Sequence, residues 1–160
     1  MINVLLEEHQ EILRLLIKHQ VNFILIGGYA VIHYGYERTT GDMDIWLELG
    51  NENRDKFIEA LIDFGVDDEG IIKLKQTNFT NPLEVIRIGE HPRTIEFLTM
   101  ISNVRFEDAI KNVNYFLLED IDVPVIHYND LILSKLTSNR LKDKADIEEL
   151  QRINKYKNNP

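Results

Sequence analysis

The chain contains no cysteine in its 160 residues. Disulfides, thiolate metal sites and a cysteine nucleophile are therefore excluded. It has no apolar run near the ~18 residues that a membrane helix needs. Its opening, Met1-Ile2-Asn3-Val4-Leu5-Leu6-Glu7-Glu8, lacks the basic start of a secretory signal. A cytoplasmic protein with no membrane partner is expected. No Gly-x-x-x-x-Gly-Lys loop occurs, so nucleotide hydrolysis of the P-loop kind has no support. The acidic run Asp67-Asp68-Glu69-Gly70 lacks the spacing of an EF-hand and reads as a solvated turn. Positive charge is also scarce: 18 Lys and Arg stand against 27 Asp and Glu, for a net charge of −9. Proteins that grip a polyanion broadly present a large basic face, so a broad nucleic-acid grip is disfavoured. An RNA end held by a local patch remains open, and the candidate patch is Lys135, Arg140, Lys142 and Lys144, interrupted by Asp143.

What the chain does have is enough length for a buried core and the composition of an ordinary globular protein. No repeat, long linker or second domain is visible. Residues 1–160 read as one domain, with a core over about 20–126 and C-terminal helices over about 129–156.

The organising stretch runs from Val21 to Leu49. The apolar run Asn22 to Ile26 ends on Gly27-Gly28, a short helix over Tyr29 to Tyr34 follows, and a second strand from Asp42 to Leu49 opens with Asp42-Met43-Asp44. Strand side chains alternate faces. Asp42, Asp44, Trp46 and Glu48 therefore share one face, while Met43, Ile45 and Leu47 point into a core. Two carboxylates side by side repel unless something neutralises them, and a hard cation such as Mg²⁺ takes carboxylate oxygens together with substrate phosphates. A diglycine lets backbone approach a ligand closely, and a helix N-terminus favours phosphate. Each half has a bland reading as well, a tight packing turn and a solvated strand end. Their adjacency points to metal-dependent phosphoryl or nucleotidyl transfer. Arg38 and Thr39, in the loop before the aspartates, can reach a triphosphate; the alternative is a loop arginine paired with Glu37 or an aspartate.

Elsewhere, the spacing of Leu5, Ile12, Leu13 and Leu16 predicts a helix from about Asn3 to His19. Asn53 reads as the N-cap of a helix through Phe64, ended by Gly65. Leu83 to Ile88 and Thr94 to Met100 read as a hairpin around Gly89-Glu90-His91-Pro92 that presents Glu96. A short helix from about Phe106, a hairpin around Glu119-Asp120, and helices opened by Asn129 and Asp143 complete the chain, with a polar tail from Asn154.

Gly27-Gly28-Tyr29-Ala30, His33, Arg38-Thr39-Thr40 and Asp42-Met43-Asp44 resemble the signature of the nucleotidyltransferase superfamily with the DNA polymerase β-like fold. The likeness is to its small bacterial and archaeal members related to abortive-infection and toxin–antitoxin nucleotidyltransferases. Arg93 to Thr99, Val104 to Ala109, Asp130 to Lys135 and Arg140 to Ile147 resemble later segments of the same group, so the likeness spans roughly Phe23 to Leu150.

The resemblance implies an α+β fold, a mixed central sheet flanked by helices. It implies Mg²⁺, or Mn²⁺ in its place, and an NTP whose nucleoside monophosphate is moved onto a hydroxyl or phosphate of tRNA, a partner protein or a small molecule. Asp42 and Asp44 would hold metal, with Glu96 as a third carboxylate, either a metal ligand or a base. Gly27 and Gly28 would cradle phosphates, and Lys135 with Asp143 or Asp146 would serve the site from the C-terminal helices. Two departures stand out: Glu96 replaces the usual aspartate, and Gly27-Gly28 replaces the common Gly-Ser. Glu96 also has a structural reading, an ion pair with Arg87 or Arg93. The alternative function is a non-catalytic binding module or antitoxin-type subunit, which predicts a degraded set of acids; Asp42, Asp44 and Glu96 are all present.

Overall fold

The computed structural model describes residues 5–83 and 85–159. Helix α1 (Glu7–Lys18) buries Ile12, Leu13 and Leu16, with His9 on the same stripe. Leu5 is buried ahead of it, and the expected start at Asn3 lies outside the described residues. The expected diglycine loop is shorter than the sequence suggests. Strand β1 (Phe23–Ile26) passes directly into α2 (Gly27–His33), whose first turn contains both glycines.

Strand β2 (Met43–Leu47) is followed by α3 (Asn51–Phe64), α4 (Asp68–Gln76), β3 (Ile86–Ile88) and β4 (Ile95–Leu98). Next come α5 (Phe106–Ala109), the hairpin β5 (Asn114–Leu118) and β6 (Ile121–Val125), and then α6 (Tyr128–Lys135) and α7 (Leu141–Asn158). The fold is α+β. Its six strands form one mixed sheet in the order β3-β4-β2-β1-β6-β5. β1 runs antiparallel to β2, and β2 runs parallel to β4. The register fixes the centre of the molecule: Asp44 lies opposite Ile26 on one side and Glu96 on the other.

Alternation then divides the sheet. Phe23, Leu25, Met43, Ile45, Leu47, Ile95 and Phe97 are all buried, and Phe57 of α3 packs its ring 4.7 Å from that of Phe97. On the opposite face Trp46, which shares Asp44's side, is capped by Phe106 of α5 in a T-shaped contact at 5.1 Å.

Four local expectations are corrected. Asn53 does not cap α3, which begins at Asn51 after Gly50. Its buried side chain instead accepts from Asn22 N at 2.8 Å and donates to the carbonyls of Asn22 and Glu48, both at 3.0 Å. Asp67 is not part of a free turn: its carboxylate accepts from Gly70 N at 2.8 Å and caps α4. His127 rather than Asn129 caps α6, accepting from Asn129 N at 3.2 Å. The tail expected from Asn154 is helical, since α7 continues to Asn158. Among the described residues, no helix is long and apolar enough to cross a membrane.

Candidate active site

The β1–α2 junction and the middle of β2 press against each other. A methyl group on Gly27 would sit 2.0 Å from Asp44 Oδ2, and Gly27 has φ of +65°, so glycine is required twice over. A methyl on Gly28 would lie 2.7 Å from both Arg38 Nη2 and Thr40 Oγ1. The resulting cleft, about 230 Å³, is lined by Gly27, Gly28, Arg38, Asp44 and Glu96 from the sheet side. From the helical side it is lined by Ser134, Lys135, Arg140, Lys142, Asp143 and Asp146. Nearly all the residues singled out from the sequence thus meet in one place.

The two aspartates have opposite electrostatic surroundings. Thr94 donates to Asp42 Oδ1 through its hydroxyl at 2.6 Å and its N–H at 3.3 Å. These bonds hold the Asp42 carboxyl below the usual carboxylate range. Asp44 has no such partner. Burial first, then the charges of Glu96 and Asp42, push its carboxyl up to about 6. Such a group lacks a nearby cation, and lysine charges at 135 and 142 only partly offset this.

The C-terminal helices are different in kind. Arg38 Nη1 donates to Asp146 Oδ1 at 2.9 Å, and Lys135 Nζ donates to Asp143 Oδ1 at 2.8 Å while lying 3.1 Å from Asp146 Oδ2. The last contact is an ion pair without hydrogen-bond geometry, which leaves Asp146 Oδ2 formally unbonded. Ser138 donates to Asp143 Oδ2 at 2.6 Å. Although burial raises the Asp143 carboxyl, the bonds from Lys135 and Ser138 bring it below its ordinary value.

These contacts place the expected residues individually. Arg38 faces the cleft but is tied to Asp146, an aspartate 108 positions away. Thr39 is exposed and outside the lining; Thr40 is the threonine turned toward Gly28, and its hydroxyl donates to Asp42 O at 3.1 Å. Glu96 stands beside Asp44 and also accepts from Arg87 Nε at 2.6 Å, so both of its anticipated contacts occur together. Asp42 lies at the rim rather than in the lining. Among the described residues no three acidic or histidine side chains converge as a ready metal cage.

Sequence reading missed the contacts of Thr94, Thr40 and Ser138, and it named Lys142 only as one member of a basic patch. Lys142 is exposed at the cleft, acts on both Asp42 and Asp44, and has no ion pair among the described residues.

A family model described as a nucleotidyltransferase of unknown function (DUF6036) matches residues 4–157. The chain belongs to this nucleotidyltransferase family. No curated protein matches it. The match covers both the acidic strands and the helices that close the cleft, so the nucleotidyltransferase assignment concerns the whole site.

Proposed function

We propose that the protein transfers a nucleoside monophosphate from an NTP to an acceptor hydroxyl or phosphate, with Mg²⁺ or Mn²⁺ held by Asp42, Asp44 and Glu96. The observation that carries this reading is the uncompensated Asp44 carboxyl, pressed against the Gly27 backbone and pushed up to about 6. Its carboxylate, with Glu96 and Asp42 adding negative charge, suits a hard divalent cation, which would neutralise the carboxylates and the phosphates together.

The chain's own residues supply the rest. The backbone at Gly27 and Gly28, which lines the cleft, receives the β- and γ-phosphates. Lys142 and Arg140 face the same cleft and offset their charge, while Lys135 is held by Asp143 and Asp146 and fixes the helices around the cleft. Glu96 accepts the proton of an attacking hydroxyl. The cleft's volume, about 230 Å³, lies below the ~300 Å³ of small ligand sites.

The arrangement of the acids favours a second reading, a nucleotide-binding subunit without turnover: the Asp42 carboxylate is turned onto Thr94, and no acidic cage is preformed among the described residues. One experiment separates the two. Wild type and Asp44→Asn are incubated with each α-labelled NTP, Mg²⁺ or Mn²⁺, and cell extract, and label is followed into RNA, protein and small-molecule fractions. Transfer should occur with wild type alone. Nucleotide binding without any Asp44-dependent label would leave the subunit reading.

A further inference from the structure

A second cavity lies along the same face of the sheet, and the chemistry above makes no use of it. It measures about 450 Å³, within the ~300–1,000 Å³ range of small-molecule sites. Trp46, Glu48, Met100, Phe106 and Glu107 form much of its wall, and it shares Ile101 with the carboxylate cleft. Strand alternation explains the position. Trp46 follows Asp44 by two residues on β2, roughly 7 Å along the strand at its usual rise, and the cavity is reached on the other strand just past the end of β4.

Strand order decides which reactant belongs here. Gly27 flanks Asp44 on the β1 side, and Glu96 flanks it on the β4 side. Phosphates received at the glycine turn leave the Glu96 side open to the second reactant, and the chain running on from β4 borders this cavity through Thr99, Met100 and Ile101.

The lining also selects a chemistry. Trp46 is 1% exposed and contributes an aromatic wall to the cavity, with Phe106 packed on it in a T-shaped contact at 5.1 Å. The remaining walls are mainly apolar. Their charges are two carboxylates, Glu48 and Glu107, against one guanidinium, and that one, Arg105, already donates to Asp108 Oδ2 at 3.0 Å. An anion is disfavoured there.

We propose that this cavity holds the acceptor, and that the acceptor is a small neutral or cationic molecule with an apolar or aromatic body and a hydroxyl group. The inference rests on the transfer reading above. The hydroxyl oxygen bonds to the α-phosphorus as the bond from that phosphorus to the β-bridging oxygen breaks. Pyrophosphate departs with the bridging oxygen, and the hydroxyl proton passes to Glu96.

Trp46 is the chain's sole tryptophan, so its emission reports on this cavity directly, with no nucleotide present. Three hydroxyl-bearing phenyl probes differ in charge: 2-amino-1-phenylethanol, 2-phenylethanol and mandelate. The cationic and neutral probes should change the emission saturably in the millimolar range of such fragments, and mandelate should bind at least tenfold more weakly. Val104→Phe, which intrudes on the cavity wall, should weaken the first two tenfold; Asp44→Asn should leave them unchanged. No saturable change with the amine or alcohol, or equal binding of mandelate, would overturn the proposal. So would Asp44-dependent label entering RNA, an outcome that leaves the transfer reading itself intact.

Discussion

The molecule contains two pairs of aspartates around one cleft, and they have opposite fates. Asp143 and Asp146 lie on α7, with side chains 13% and 2% exposed, and are met by Lys135 and Arg38. Asp42 immediately precedes β2 and Asp44 lies within it, and Asp44 is met by the negative charges of Glu96 and Asp42, which Lys135 and Lys142 only partly offset. Burial alone does not distinguish them, since Asp146 is the more buried and yet is ion-paired with Arg38 and Lys135. Compensation does. A paired buried acid fixes elements relative to one another, whereas an unpaired one is a site that another cation completes. The strain at Asp44 is tolerable because the opposite face of the same strands buries Met43, Ile45, Phe97 and their neighbours, each adding roughly 1.5–3 kcal/mol.

The sharpest break in this comparison comes from the compensated pair. Asp146→Asn strands Arg38 and Lys135 beside a neutral group, and unfolding in urea should show a loss of about 3–5 kcal/mol. Asp44→Asn should act in the opposite direction. The folded Asp44 carboxyl sits at about 6 against an ordinary value of 3.8, so its penalty is absent below the lower value, grows as pH rises, and is complete above the higher. Without divalent ions the variant should therefore be about 1–3 kcal/mol more stable than wild type at neutral pH. That advantage should vanish near the unfolded value. A wild type that is equally or more stable at pH 7 would remove the claim of strain.

Much of this contrast was legible in the sequence. The Asp-x-Asp alternation, the diglycine and the face of Glu96 are local facts, readable from a period of two and a short turn. Thr94, which clamps Asp42 across 52 positions, left no local signal, and Asn53 looked like a helix cap because its tertiary role to Asn22 and Glu48 is invisible in one dimension. Trp46 shares Asp44's parity, as expected, but Phe106 covers it, which only the packing of α5 reveals. Lys135 stood out by resemblance and Lys142 only as a member of a basic patch; that Lys142 is the freer of the two emerged once the partners Asp143 and Asp146 were placed.

Smaller effects sharpen the comparison. Lys142→Ala should change stability by less than ~0.5 kcal/mol, as exposed substitutions do, yet weaken NTP binding by about 1–3 kcal/mol in calorimetry. Lys135→Ala should mainly reduce stability. The reverse ranking of the two lysines would mean that the paired cation, not the free one, meets the phosphates. Arg87→Ala removes a pair whose arginine is 62% exposed; thermal unfolding should register little or no change, because solvent screens such a pair.

The central claim is that the uncompensated aspartate is where cation and nucleotide bind. Calorimetric titration of wild type and Asp44→Asn with Mg²⁺ and a non-hydrolysable α,β-methylene NTP tests this most directly. Wild type should bind the pair together, more tightly than either alone, and the variant should lose at least tenfold in affinity. Equal affinity in the two proteins would contradict the account.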